Sequence, residues 1–283
     1  MVSVPRALWL IFLVLALTAP GRGVCADEVL KVGTYRHYPP WTIAGDDGAL
    51  RGFEPAMVSD LCRRMAVRCE MSAVPWESVF DDLDAGKYDV YIGGMAVTAE
   101  RARRVAFTMP YGLETDSFAT VAGHPLTSVL SLNTIDLDHP TGETQTSLKE
   151  LVEAMRGQRI GVHVGTTNEQ LVDSILSGVA DIRRYTVEQQ QYDDLVDGKL
   201  DAVFAASSSI YYFAFQHKEL SHPPVLFGPV LNGSLLSSGV GGALRRGNTA
   251  LLERLNTAIA AAKDDGTLAR LSFLWFGANV TSP

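Results

Sequence analysis

Cysteine is scarce in this chain: three residues in 283, at Cys25, Cys62 and Cys69. Histidine is nearly as sparse, with six scattered residues. No further Cys or His lies near Cys62 and Cys69, which argues against a zinc site or a redox motif there. No nucleophile–base pairing of the hydrolase kind stands out, and no cofactor is implied. Beyond the N-terminus no apolar run is long enough to cross a membrane. Positive charge is in deficit, with 24 basic against 32 acidic residues and a formal net charge of −8. Such a surface repels a phosphate backbone, so nucleic acid is not an expected partner.

What is present begins with a leader. Arg6 precedes the apolar run 7–17, then come Pro20, Gly21 and the small-residue end Val24-Cys25-Ala26. This pattern reads as a cleaved secretory signal over residues 1–26. Arg22-Gly23-Val24 before Cys25 does not fit a lipobox. Cleavage after Ala26 removes Arg6, Arg22 and no acid, so the exported chain is more acidic still. Export makes a disulfide the natural reading of Cys62 and Cys69, a short local staple. The length suits two modest domains.

The most informative stretch runs from Asp89 to Tyr111. Residues 89–92 are apolar and β-favouring, so they read as a buried strand. Gly93-Gly94 then lets the chain turn with bare backbone. Thr98 is a good N-cap, and residues 99–103 favour helix, which places Arg101 in a first turn. Free amides, a helix start and a guanidinium fork together suit a carboxylate. Spacing alone leaves open a second reading, in which Arg101, Arg103 and Arg104 form a solvated basic face.

Taken in order, the chain alternates strand and helix. Residues 29–34 form a first strand that opens into Tyr35-Arg36-His37-Tyr38-Pro39-Pro40-Trp41, where two prolines stiffen a loop bearing aromatics. Met57, Val58, Leu61 and Met65 lie on one face of a helix. A strand over 70–74 precedes Trp76, a short helix with Val79, Phe80 and Leu83, and the strand at Asp89. This β-α-β-α-β order predicts a mostly parallel sheet. Residues 117–121 cross into a second unit. The stretch 124–146 is polar and poorly periodic and reads as a surface excursion, with a helix following over 148–155. The strand 159–164 leads into Gly165-Thr166-Thr167-Asn168 and another helix. The strands 181–185 and 200–204 complete the second unit, and the chain returns to the first near 226–231.

These motifs together resemble the periplasmic amino-acid-binding proteins of ABC importers, solute-binding protein family 3. The resemblance rests on Val97-Thr98-Ala99-Glu100-Arg101, on Phe107-Thr108-Met109-Pro110-Tyr111, on Gly52-Phe53-Glu54, and on the Asp265-Gly266-Thr267 and Trp275-Phe276-Gly277 tail. It covers residues 28–278. It implies an α/β fold of two lobes joined by two hinge crossings, the type II periplasmic binding protein fold, with residues 27–114 and 227–283 in the first lobe and 115–226 in the second. It implies a monomeric periplasmic receptor that closes on a small carboxylate ligand and delivers it to an ABC permease in the inner membrane. By position in the family, Arg101 grips the carboxylate, Thr166 and Thr167 meet it from the second lobe, and Tyr38 and Trp76 wall the ligand. The Cys62–Cys69 separation matches a disulfide of the basic-amino-acid branch. Glu54 is expected to serve structure.

The family pattern breaks at four positions. An aspartate that commonly holds the ligand ammonium is matched by Ala206. Helpful hydroxyl positions are Gly94 and Ala96, and a position that is often acidic is Tyr35. Each change removes an acceptor, and a desolvated ammonium without partners is costly. The expected ligand therefore keeps a carboxylate but lacks a free α-ammonium or carries it blocked, as in a keto acid, an aromatic acid or an opine-like conjugate. Two other classes share the fold: an enzyme of the cyclohexadienyl dehydratase kind, which needs a positioned acid, and a receptor that presents ligand to a membrane-bound sensor. His37 and His163 are the only histidines near the expected cleft, and His163 suits packing or specificity better than base catalysis.

Overall fold

The computed structural model describes residues 28–129 and 134–282. The leader, Cys25 and part of the 124–146 excursion lie outside the described residues. No helix among the described residues is long and apolar enough to cross a membrane.

The chain folds into two α/β lobes, each built on its own sheet. The first sheet has the order Arg68–Val74, Val29–Tyr35, Val90–Tyr91, Ala243–Arg245, Val105–Phe107. The second has the order Asp181–Tyr185, Arg159–His163, Ala202–Ala206, Asp116–Val121, Pro224–Asn232, Thr134–Asp136. The first three strands of each sheet run parallel. The fourth runs antiparallel to both its neighbours. Each fourth strand comes just after a crossing between lobes, so it enters the sheet from the cleft end and runs against the others. The sheets are therefore mixed where alternation alone predicted mostly parallel ones.

Both faces of each sheet are covered, as strands flanked on both sides require. In the first lobe Val32, Val90 and Ile92 pack against Phe53, Met57 and Leu61 of the helix Phe53–Met65, and against Leu255, Ile259 and Leu268 of the C-terminal helices. The opposite face packs Val79, Leu83, Tyr91 and Met95. In the second lobe Ile160, Val162 and Phe204 meet Leu171, Val172 and Leu176. There the opposite face packs Ala119, Val203 and Ala205 against Tyr192, Leu195 and Phe213.

Two readings of the sequence shift. The excursion is more regular than its polarity suggested: Thr134–Asp136 pairs in parallel with Val230–Asn232. The next helix starts at Gly142, capped by Thr141 and Thr144 in a reciprocal capping box. The return crossing also lies beyond residue 227. Pro224–Asn232 stays in the second sheet and Leu236 packs in the second core, whereas Val240 packs in the first. The apolar alternation of 225–231 marks a strand but not the sheet that receives it.

Cys62, on the helix Phe53–Met65, is bonded to Cys69 at the start of the next strand. Closing so short a loop stabilises the first lobe by about 2.5 kcal/mol on the loop-entropy scale. Cys62→Ser with Cys69→Ser should lower unfolding free energy by that order in urea titrations while leaving ligand affinity unchanged. A loss of affinity without a loss of stability would contradict the staple role.

Candidate functional site

The cleft forms where the C-terminal ends of parallel strands from both lobes face each other, the usual position for a ligand in open α/β sheets. The first lobe supplies Tyr35 after its first strand, Trp76 after the strand Arg68–Val74, and Gly93, Gly94 and Ala96 after Val90–Tyr91. The second lobe supplies His163 at the end of Arg159–His163, Thr166 and Thr167 just after it, and Ala206 at the end of Ala202–Ala206. Tyr38 and Arg101 complete this wall. All nine residues singled out as ligand-binding from the sequence thus line one pocket. The lobes already touch across it: Trp76 Nε1 donates to Gly165 O at 3.2 Å, Gln170 Nε2 to Glu100 at 3.2 Å, and Ser209 Oγ to Pro39 O at 3.1 Å.

Arg101 sits in the one-turn helix Ala99–Ala102, whose N-cap Thr98 accepts from the Arg101 amide at 3.2 Å. Its guanidinium donates to Ala96 O at 3.1 Å and lies 5.2 Å from the centroid of the Trp76 ring. Among the described residues it makes no ion pair. Burial pulls it down to about 10, so it stays charged at neutral pH. Opposite, Thr166 caps the helix Thr167–Leu176, accepting from Glu169 N at 3.2 Å and donating to His163 O at 2.6 Å. The amides of Thr167 and Asn168, in the first turn, have no acceptor among the described residues. A half-buried cation on one lobe and open helix amides on the other have the chemistry to meet an anion from two sides.

The glycine turn works differently from expectation. Gly94 lines the pocket, but its N–H donates to Glu54 Oε1 at 2.7 Å and is not open to a ligand. Glu54, fully buried, also accepts from Thr42 Oγ1 at 3.0 Å and from the Tyr111 hydroxyl. It ties the loop, the helix start and the segment around Tyr111 together, which agrees with a structural role. Gly94 has φ +69°, and a Cβ there would stand 2.3 Å from the Tyr38 ring. A hydroxyl-bearing residue there is thus strained by backbone and packing, independently of the ligand.

The aromatic walls are fixed by packing. Trp41 is fully buried, stacked at 6.4 Å on Tyr38, and donates to Glu114 at 2.7 Å. Tyr35 stacks on His163 at 5.8 Å. Burial holds His163 below its ordinary value. Its Nε2 faces Thr186 O at 3.2 Å, so the neutral ring donates there.

Five polar residues of the pocket were not found from the sequence: Glu114, Asp116, Glu188, Gln191 and Ser237. Glu114 lies on the first crossing and accepts from Trp41 of the first lobe and Ser208 of the second. Asp116 begins the strand Asp116–Val121 and accepts from Asn168 Nδ2 at 3.0 Å. It stands directly across from Ala206 in the antiparallel pairing. Glu188 opens the helix Glu188–Val196 and accepts from the Tyr192 hydroxyl at 2.9 Å. Burial is the main cause that raises all three carboxyls, Asp116 to about 6 and both glutamates to about 7. The acceptor missing at Ala206 is thus available from the neighbouring strand. The described residues contain no cluster of three or more His, Cys, Asp or Glu suited to hold a metal ion.

Known proteins align with this arrangement. The profile of the bacterial extracellular solute-binding proteins, family 3, matches residues 30–278. The octopine-binding periplasmic protein of Rhizobium meliloti is 29% identical, over 92% of this chain and 94% of its own length. The L-cystine-binding protein of Escherichia coli strain K12 is 31% identical, over 89% of this chain and 84% of its own. An ancestral arginine-binding protein, solved bound to glutamine, superposes with a TM-score of 0.71 at 26% identity, covering 88% of this chain and 98% of its own.

Proposed function

Since the chain belongs to the bacterial extracellular solute-binding proteins of family 3, we propose that it is the periplasmic receptor of an ABC importer. It closes on a small solute that carries both a carboxylate and a basic nitrogen. The observation that carries this reading is Arg101, a half-buried guanidinium without an anionic partner among the described residues, opposite the open amides of Thr167 and Asn168. The receptor acts as a monomer, exported by its leader, and hands the solute to a membrane permease.

The acids refine the solute class. A keto acid or plain aromatic acid would leave Glu114, Asp116 and Glu188 facing a ligand with nothing to donate to them. A basic nitrogen gives them a partner. At Ala206 only a methyl group is present, so the α-nitrogen is not clasped from that strand, and a substituent on it finds room there. An opine-like conjugate combines these features, since its α-nitrogen bears a carboxyl-containing arm and remains basic. The octopine-binding relative supports this choice.

One observation favours a second reading. Acids raised toward 7 inside a pocket are also what acid-catalysed elimination needs. Glu114 is held at the hinge by Trp41 and Ser208, and Glu188 by Tyr192, which suits walls better than mobile proton donors. Incubation with prephenate should yield no phenylpyruvate. Turnover would replace the receptor reading with an enzyme.

The direct test is a thermal-shift panel on refolded residues 27–283 with amino acids, opines, keto acids and aromatic acids. A solute at a hundred times its dissociation constant stabilises by about 2.7 kcal/mol. The expected responders carry a carboxylate and a basic nitrogen, with opines ahead of keto acids. A response confined to keto or aromatic acids would refute the assignment of the acids.

A further inference from the structure

The helix Glu188–Val196 turns Glu188, Gln191, Tyr192 and Leu195 inward. Tyr192 and Leu195 do the packing, in the core with Ala119, Val203 and Ile210. Gln191, one turn from Glu188 on the same face, has no accessible surface, and among the described residues neither its Oε1 nor its Nε2 has a hydrogen-bond partner. A buried primary amide with both ends unpaired is uncommon in native proteins, because it has lost its water and gained nothing. Leucine would fill such a site without that cost. Gln191 lines the cleft pocket beside Glu188 and Asp116.

We propose that Gln191, with Asp116 and Glu188, forms a second polar subsite in the second lobe, and that it selects solutes whose end remote from the Arg101-bound carboxylate both donates and accepts hydrogen bonds. This rests on the receptor reading and narrows its solute class. Ionised Asp116 and Glu188 can only accept, so they take the N–H groups of a cation. Gln191 adds what they lack: Nε2 donates to an oxygen of the solute, and Oε1 accepts one more N–H. A two-ended solute, with a basic nitrogen close to a second carboxylate or amide oxygen, satisfies all three side chains at once. An amino acid with a purely apolar tail leaves the amide unpaired and is disfavoured for that reason.

The test compares wild type, Gln191→Leu and Arg101→Ala by calorimetric titration with octopine, L-arginine, L-cystine and L-norleucine. Gln191→Leu removes both polar ends with little change of volume, so the ligand-free melting temperature should hold or rise. Affinity for the best two-ended probe should fall at least tenfold, while affinity for L-norleucine holds or improves. The ratio of the two affinities is the decisive readout, because a purely structural glutamine would shift both together. If Arg101→Ala abolishes binding but Gln191→Leu keeps the wild-type ratio, the subsite is wrong and the receptor reading stands. If wild type binds none of the four probes, the proposed solute class fails and the subsite fails with it.

Discussion

Arg101→Ala should weaken binding of the carboxylate solute by about 30- to 5,000-fold, the range for truncating one partner of a desolvated, hydrogen-bonded charge pair. The loss falls on the complex because the ligand carboxylate would enter the closed cleft with only the Thr167 and Asn168 amides to meet it. The ligand-free protein should barely notice. It loses the bond to Ala96 O, a long one to Gly165 O across the cleft and the stacking over Trp76, each about 1 kcal/mol or less, and is relieved of a desolvated cation that has no counter-ion among the described residues. Arg101→Lys keeps the charge but not the fork and should fall between the two. Titration calorimetry with parallel melts separates the effects. A variant that melts early yet binds normally when folded would assign Arg101 to the fold.

Ligand affinity should rise with pH up to about 7 and then level off, while the stability of the ligand-free protein falls from the ordinary carboxylate range, about 4, up to about 7. Asp116 is raised to about 6 and Glu114 and Glu188 to about 7, chiefly by burial, with repulsion from the neighbouring acids adding to it at the two glutamates. A carboxyl raised in the folded state favours the protonated fold. Its contribution to stability is fully present below the ordinary carboxylate value and is lost as pH rises to the folded value. A cationic solute needs the ionised carboxylates, so binding expels protons, and affinity climbs up to about tenfold per pH unit for each proton released. The other charged groups do not oppose this. Arg101 stays charged throughout, and burial lowers His163, which disfavours its charged form. Titrations in buffers of different ionisation enthalpy count the protons directly. Flat affinity across this range, without proton release, would mean that the acids do not meet a cation.

How much of this was written in the chain can be judged residue by residue. Arg101, Thr166 and Thr167 lie on short local patterns, a strand followed by a turn and a capped helix; spacing alone left Arg101 open to a solvated reading, and the family resemblance assigned all three to the cleft. The aromatic walls Tyr35, Tyr38 and Trp76 likewise follow strand ends. Ala206 shows the limit. Its missing carboxylate was visible, but the register that sets Asp116 across from it joins segments 90 residues apart in an antiparallel pair, and no local pattern encodes that pairing. Glu114 and Asp116 did leave a trace: they sit two apart at the mouth of a buried strand, so an extended chain turns both to one side. Among 32 acids that trace is faint. Gly94 misled in the other direction, because its missing hydroxyl answers to a positive φ and the Tyr38 ring rather than to the ligand. The return crossing was placed early because apolar alternation reports burial, not which of two sheets provides it.

The most direct measurement is the identity of the solute the protein carries. The receptor should be purified natively from its own bacterium, denatured, and the released small molecules identified by mass spectrometry. The expected result is one stoichiometric solute bearing a carboxylate and at least one basic nitrogen, and rebinding of that solute should be lost in Arg101→Ala. A stoichiometric solute without a carboxylate, or one that rebinds Arg101→Ala as tightly as wild type, would contradict the account.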